Sequence, residues 1–401
     1  MNKRRNMDLK IFTDNIDEAS IDQIHRLMHQ PAFAESKVRI MPDVHLGKGC
    51  VIGFTADLGD KVIPNVVGVD IGCGMLTIEL GQVDIDLVEL DRIIRARVPS
   101  GFNVHPGRSI KYKKLQDLYC YRELNNTKRI ERSIGTLGGG NHFIEIDEDD
   151  AGTKYLVIHT GSRNLGKQVA EYYQRLAVEL MQGKDELFEQ QEKIIKEYKS
   201  TGRRKEISKA IKRLNRAFKP KKLDIPKDLC YLTGKYRDQY LHDMKICQEY
   251  AVKNRKQIAK IILGSMNLQA QDSFETIHNY IDHDSNIVRK GAVSAQKGEK
   301  LLIPINMRDG CIIAVGKGNP DWNYSAPHGA GRIMSRTQAK KRVRFSDYKK
   351  SMEGIYTTSV NKRTLDESPM VYKPLEEIVD NIKDTAEVIK IIRPIYNFKA
   401  D

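Results

Sequence analysis

The residues best suited to do chemistry in this chain stand in short, glycine-flanked motifs. Val69-Asp70-Ile71-Gly72-Cys73-Gly74 sets a carboxylate and a thiol three residues apart on one tight loop. Glycines there let the backbone turn sharply and approach a ligand closely, although a turn around a buried cysteine would read the same way. Gly138-Gly139-Gly140-Asn141-His142 presents successive backbone N–H groups, which suit an anion, directly before the strand-like Phe143-Ile144-Glu145. His159 closes the apolar run Val157-Ile158 and is followed by Thr160-Gly161-Ser162-Arg163. His278, in Ile277-His278-Asn279-Tyr280, reads as a helix-to-loop position and alone would pass for a structural histidine. In Ala326-Pro327-His328-Gly329-Ala330-Gly331-Arg332, small residues clear space at the imidazole. Arg332 and Arg336 offer forked donors to phosphate oxygens. A histidine attacking phosphorus needs a neutral ring and nearby cations, and this motif meets that need. Gly161 to Lys167 matches GxxxxGK, but Gln168 stands where Ser or Thr must hold Mg²⁺, so a P-loop is rejected.

Asp70, Cys73, His142, His159 and His278 together make a mixed oxygen, sulfur and nitrogen set. It is too rich in thiolate and imidazole for Mg²⁺ or Ca²⁺ and suits Zn²⁺, Mn²⁺, Fe²⁺ or Co²⁺. Five ligands exceed one tetrahedral site, so two ions sharing the Cys73 thiolate are expected, as recurs where phosphates are transferred. The residues therefore point to a metal-dependent enzyme acting on nucleic-acid phosphates, with His328 as nucleophile.

The rest of the 401-residue chain must position these groups. Apolar residues at 40% and charged residues at 30% are the balance of a globular protein, not a disordered one. A net charge of +14 favours polyanionic partners, though a merely basic enzyme would share it. No apolar run is long enough to span a bilayer, and the polar, basic residues 1–10 do not resemble a secretory signal. Six cysteines without paired spacing argue against a disulfide framework, so a cytoplasmic setting with reduced thiols is expected. From Val38 to Leu80, short apolar runs such as Val62–Val69 read as buried strands. From about residue 167 to 271 the periodicity is helical, and Thr201 to Lys222 carries ten Lys or Arg against one Glu. That run is either a solvated helical face or a track for a phosphate backbone. Strand and turn character returns from Asn286 to Arg332, and the tail from Pro369 reads as a short helix and then an apolar strand. The expected architecture is one α+β domain over residues 1–401, with the basic helical block at about 167–271 as an insertion or lid.

The motifs PDVHLGKG (42–49), GVDIGCG (68–74), GTLGGGNHFIE (135–145), HTGSR (159–163), HNY (278–280), RKGAVSA (289–295) and HGAGR (328–332) occur in one order. In that order, and with Met370 to Lys373 and Asn397 to Lys399 in the tail, the chain resembles the RtcB family of RNA-splicing ligases. The resemblance implies that family's α+β fold and a GTP- and Mn²⁺-dependent enzyme. Such an enzyme joins an RNA 2′,3′-cyclic phosphate or 3′-phosphate end to a 5′-OH, in tRNA splicing or in RNA repair by a divergent bacterial subgroup. It implies that His328 becomes guanylylated and that Cys73 bridges two Mn²⁺ ions. Asp70 and His142 then complete one coordination sphere, and His159 and His278 the other. Asn141 is expected on the GTP phosphates, with Glu145, Tyr372 and Lys399 around guanine. Asn306, Met307, Gly329, Ala330, Gly331 and Arg332 complete the implied nucleotide site. The resemblance also makes an archease-type activator a candidate partner, and the chain is expected to act as a monomer. One departure is visible: Ile305-Asn306-Met307-Arg308 stands where most of the family carries Gly-Ser-Met-Gly. The alternative reading is a two-metal phosphohydrolase or cyclic phosphodiesterase, which would have no need of a nucleophilic His328. A non-catalytic RNA-binding protein is favoured by charge alone and has no use for a buried thiolate and three imidazoles.

Overall fold

The computed structural model describes residues 8–400, so most of the polar start, read as carrying no secretory signal, lies outside the described residues. In chain order the first strands are β1 (Leu9–Ile11), β2 (Val38–His45), β3 (Ile52–Asp57), β4 (Gly74–Gly81), β5 (Phe143–Glu148), β6 (Lys154–Thr160) and β7 (Asp272–Ile277). They continue as β8 (Asn279–Asp282), β9 (Ile287–Lys290), β10 (Ala292–Ser294), β11 (Lys300–Asn306), β12 (Gly310–Gly316), β13 (Ser325–Pro327) and β14 (Ala386–Lys399). The helices begin with α1 (Glu18–Met28), α2 (Pro64–Val67), α3 (Leu87–Arg97), α4 (Thr127–Arg132) and α5 (Arg163–Glu179). There follow α6 (Asp185–Ser200), α7 (Ile207–Ala217), α8 (Gly234–Met266), α9 (Arg336–Arg342), α10 (Phe345–Ser351) and α11 (Leu375–Asn381).

An antiparallel seven-stranded sheet runs β11-β12-β14-β5-β6-β4-β7. Five strands, β1-β2-β3-β9-β8, form a second sheet, and β10 pairs with β13. The larger sheet is covered on both faces, which explains why the middle of β6, Tyr155 to Ile158, is an unbroken buried run instead of an alternation. Leu156 and Ile158 face α8 with Ile258 and Ile262, while Tyr155 and Val157 pack with Leu302, Cys311 and Ile392 on the other side. On that second face the register sets Lys399 beside Phe143, Phe143 beside His159, and His159 beside Met75. This row of four residues across four strands is the floor on which the site stands.

Several sequence expectations are corrected. Val62–Val69 is not a strand: Pro64 opens the short helix α2, where a fixed φ and a missing N–H cost nothing. His278 lies between β7 and β8 and follows no helix. The helical block at 167–271 is not one insertion or lid. Helix α5 buries Leu165, Val169, Tyr173 and Leu176, and the 33-residue α8 buries Tyr240 through Ile262, so both belong to the core. The Tyr173 hydroxyl donates to Asp243 across them at 2.8 Å. Only α6 and α7 project, and α7 contributes no buried residue. The tail is a short helix, α11, followed by β14, as its apolar pattern indicates.

Candidate active site

Asp70 and Cys73 sit on the loop that leads into β4, and His278 is drawn against them because its N–H donates to the Cys73 carbonyl at 3.0 Å. His142 immediately precedes β5 and His159 is the last residue but one of β6, so the pairing of β5, β6, β4 and β7 brings the five side chains together. Cys73 Sγ lies 3.5 Å from His142 Nε2 and 3.3 Å from His159 Nε2. His142 Nε2 is 3.3 Å from Asp70 Oδ2, and His159 Nε2 is 3.4 Å from His278 Nε2. Two triads result, Asp70–Cys73–His142 and Cys73–His159–His278, each with its ligand atoms within 4.8 Å, and Cys73 belongs to both.

Tautomers are set from behind. His142 Nδ1 faces the Leu137 carbonyl at 2.9 Å and His159 Nδ1 the Asn141 carbonyl at 3.2 Å. A carbonyl only accepts, so each Nδ1 carries the proton and each Nε2 turns a lone pair into the cluster. Burial holds the His159 and His278 pKa values well below the usual imidazole range, leaving neutral rings. Burial and the Asp70 carboxylate raise the Cys73 thiol well above its ordinary range, so an ion bound there has to displace its proton. Burial also works to raise Asp70, but whenever His142 carries a second proton, on Nε2, its bond and charge outweigh burial and hold the carboxyl low; a bound ion takes that proton's place. Neutral imidazoles, a buried thiol and one carboxylate fit borderline divalent ions.

Sequence reasoning missed what holds this cluster. Arg255 on α8, fully buried, donates to the carbonyls of Gly72 at 2.9 Å and Thr160 at 2.8 Å, and pairs with Glu275 at 2.6 Å. It ties the loop of Asp70 and Cys73 to the end of the His159 strand. Its neighbour Asn254 accepts from the N–H groups of Gly135 and Thr136 and donates to the Gly161 carbonyl. Arg163 lies across the glycine loop, its guanidinium 1.8 Å from where a Cβ on Gly138 would fall, and the φ of +82° at Gly138 is one that glycine adopts without strain.

His328 follows β13. Its Nδ1–H and its backbone N–H both donate to Oδ2 of Asp43, at 2.6 and 3.1 Å, which leaves Nε2 as the ring's unclaimed nitrogen. Asp43 is completely buried on β2, and the His328 ring centre is 4.9 Å from that of His278. Gly331 passes so close to β2 that a Cβ would meet the Asp43 carbonyl oxygen at 2.4 Å. Asp43 lies within the PDVHLGKG motif but carries no sign in the sequence of a partner 285 residues away.

A cavity of about 780 Å³ opens over these groups, the right size for a nucleotide. It is lined by His159, His278 and His328, by Asn141 and Glu145, by Asn306 and Met307, by Gly329 to Arg332, and by Tyr372 and Lys399. Asp70, Cys73 and His142 stand behind this wall. His45 also lines it, with a pKa lowered to about 4 by burial. Glu367, not anticipated, is the polar hub: Lys399 Nζ, Arg336 Nη1 and the Tyr372 hydroxyl reach it at 2.6, 2.6 and 2.8 Å. Burial works to raise its carboxyl, but Lys399, Arg336 and Arg332 outweigh that and hold it at about 2. Arg332 bonds the Asp366 carbonyl and the Tyr372 hydroxyl, so both arginines expected on phosphate are already engaged by residues 366 and 367 or their neighbours. Asn397 bonds Glu145, whose carboxyl burial pushes up to about 7. Asn306 spends its side chain on its own turn, accepting from the N–H groups of Arg308 and Asp309 and donating to the Asp309 carboxylate. Met307 packs against Tyr348.

Comparison with known proteins places the chain among ligases that act on RNA. A family model described as tRNA-splicing ligase RtcB matches residues 23–127 and 120–400, and the chain belongs to that family. It is 29% identical to the RNA-splicing ligase RtcB of Escherichia coli strain K12, over 90% of each chain. It is 27% identical to the tRNA-splicing ligase RtcB of Nanoarchaeum equitans, over 92% of this chain and 89% of that one. The RtcB ligase of Aeropyrum pernix is 25% identical, over 89% and 86%. Family membership supports RNA as substrate and a dependence on metal. Among the described residues no helix is long and apolar enough to cross a membrane.

Proposed function

We propose that this chain is a GTP- and Mn²⁺-dependent ligase that joins RNA 2′,3′-cyclic phosphate or 3′-phosphate ends to 5′-OH ends through a guanylylated His328. Asp70, Cys73 and His142 would hold one ion and Cys73, His159 and His278 the other. Bound there, the ions would neutralise charge on the phosphate oxygens.

The observation that carries the reading is the Asp43–His328 pair. With Nδ1–H held by a buried carboxylate, Nε2 keeps its lone pair and attacks the α-phosphorus of GTP: the N–P bond forms and the bond to pyrophosphate breaks. Asp43 then offsets the positive charge that develops on the ring. His328 next gives up the guanylate to an RNA 3′-phosphate, and the 5′-OH attacks that activated phosphate with loss of GMP. A cyclic end must first be opened by water. Asn141 would orient the GTP phosphates, while Glu145, Tyr372 and Lys399 would surround guanine. Because Asn306 is committed to its own turn, base selection falls mainly to Glu145 and its neighbours.

Incubation with GTP labelled at the α-phosphate and Mn²⁺ tests this. Acid-labile label on the denatured chain is expected, and none on a His328→Ala variant. Absence of label with every nucleoside triphosphate, metal being bound, would move the phosphodiesterase reading to the front.

A further inference from the structure

The hairpin of α6 and α7 takes no part in the site. It closes at its root, where the Lys221 N–H donates to the Gln182 carbonyl at 2.9 Å and the Lys221 side chain lies across Gly183. Beyond the root, Ile207, Ile211, Leu214 and Phe218 recur at helical spacing and are partly covered, and Gln191 on α6 bonds Asn215 on α7 at 2.7 Å. That contact fixes which way α7 faces. Its opposite side carries Lys209, Lys212, Arg213 and Arg216, all exposed, at spacings that put them in one stripe. Among the described residues none of these four makes an ion pair, whereas Arg203 pairs with Glu206 and Lys221 with Glu186 nearby. Residues 201–222 hold ten cations against one carboxylate, which is nine of the chain's net fourteen charges. Four like-charged neighbours three or four apart repel one another and weaken the helix that carries them. A polyanion reverses the sign of that cost.

We propose that the outer face of α7 binds the phosphate backbone of double-stranded RNA at a distance from the ends being joined. The inference rests on the ligase reading for the identity of the polyanion. The stripe contains no aromatic residue, so it lacks the stacking platform of a single-strand site. The apolar side of α7 is covered by α6, so this helix has no face left to bury in a lipid surface. Helix α5 sets the distance. It starts at Arg163, whose Nη1 is 3.4 Å from His142, and its 17 residues span about 25 Å before the hairpin begins. At the roughly 3.4 Å per phosphate step of B-form DNA a duplex with its end in the cavity would reach the hairpin only beyond about seven base pairs, and A-form RNA, which advances less per step, needs somewhat more.

The test is a Lys209→Gln, Lys212→Gln, Arg213→Gln, Arg216→Gln variant of the full chain, with its helix content checked by circular dichroism. Binding to RNA duplexes of about 6 and about 24 base pairs is measured by anisotropy between roughly 50 and 200 mM salt, alongside guanylylation with labelled GTP. For the long duplex we expect at least a tenfold loss of affinity and a salt slope reduced by roughly 2 to 3, at about 0.9 per lost phosphate contact. Short-duplex binding and guanylylation are expected to stay within about twofold of wild type, a smaller change than one lost phosphate contact would give. Unchanged long-duplex affinity and slope would overturn the proposal and leave a solvated face. An equal loss on single-stranded RNA of the same length would overturn the duplex assignment. Failure of the wild type to guanylylate would sink the ligase reading, while the binding series would still decide what α7 does.

Discussion

Asp43→Asn separates the role of the carboxylate from its shape. The amide is isosteric, so the fold and the cavity are expected to persist, but the negative charge that accepts both His328 bonds is gone. In guanylylation the ring passes from neutral to cationic beside Asp43. With charge centres roughly 4 Å apart and an effective dielectric near 20, the carboxylate stabilises that cation by about 4 kcal/mol. This corresponds to about a 10³-fold faster attack. Asn adds a second penalty, since its NH₂ can donate to Nδ1 and shift the ring proton onto Nε2, the atom that must attack. Single-turnover labelling with GTP is therefore expected to slow by 10²- to 10³-fold, with GTP affinity and metal content near wild type. A slowdown below about fivefold would refute the assignment of Asp43 as the group that holds His328 and offsets its charge.

Cys73→Ala removes the only donor shared by both triads, so it is expected to abolish metal-dependent labelling and reduce bound Mn²⁺, with the far-ultraviolet spectrum preserved; full activity would end the bridging role. Arg255→Met leaves a part-buried Glu275 and two carbonyls without their partner, and is expected to cost about 3–5 kcal/mol in chemical denaturation and to loosen metal binding as well. Unaltered metal affinity in a destabilised variant would limit Arg255 to a structural role. Glu145 gives a pH test. Its proton leaves the unfolded chain near pH 4.3 but the folded one only near 7. Between those values the folded state binds more protons, so this contribution to stability is present at low pH and lost as pH rises through about 7. Glu145→Gln is therefore expected to raise the melting temperature relative to wild type at pH 8 and to change it little at pH 5. A difference that does not vary with pH would contradict the raised carboxyl.

The residues that the structure gathers into the candidate site were legible because their surroundings are constrained: glycine two residues to either side of Asp70, glycine next to Cys73 and His328, and a glycine run shortly before His142. The α+β character was legible from periodicity. What escaped was partnership. Asp43 looks like a polar interruption in an apolar strand, and Glu367 like one charge in a charged run, because their partners lie far along the chain. Asn254 and Arg255 lie in a helix whose many charges read as solvent-facing, yet both are fully buried. For the same reason the helical block looked detachable: a helical repeat does not say whether its apolar side meets the main core or another surface helix. Within the run Val62–Val69, residues Pro64–Val67 are helical because Pro64 preset the backbone, an effect that outweighs a β-branched composition over so short a stretch.

The place of β14 in the large sheet also has a consequence for synthesis. It lies between β12 and β5, so until it arrives both of those strands present open edges. Glu145 and Asn397, neighbours across β5 and β14, are 252 residues apart. At roughly 5–20 residues per second, a ribosome needs on the order of ten to fifty seconds to cover that interval. During that time a nascent chain carries two unpaired strand edges, that of β12 wholly apolar, which can recruit one another or another chain. The bond that seats Glu145 in the wall of the cavity is thus among the last to form, and a message cut short before Ala386 yields an aggregation-prone fragment instead of a weak enzyme.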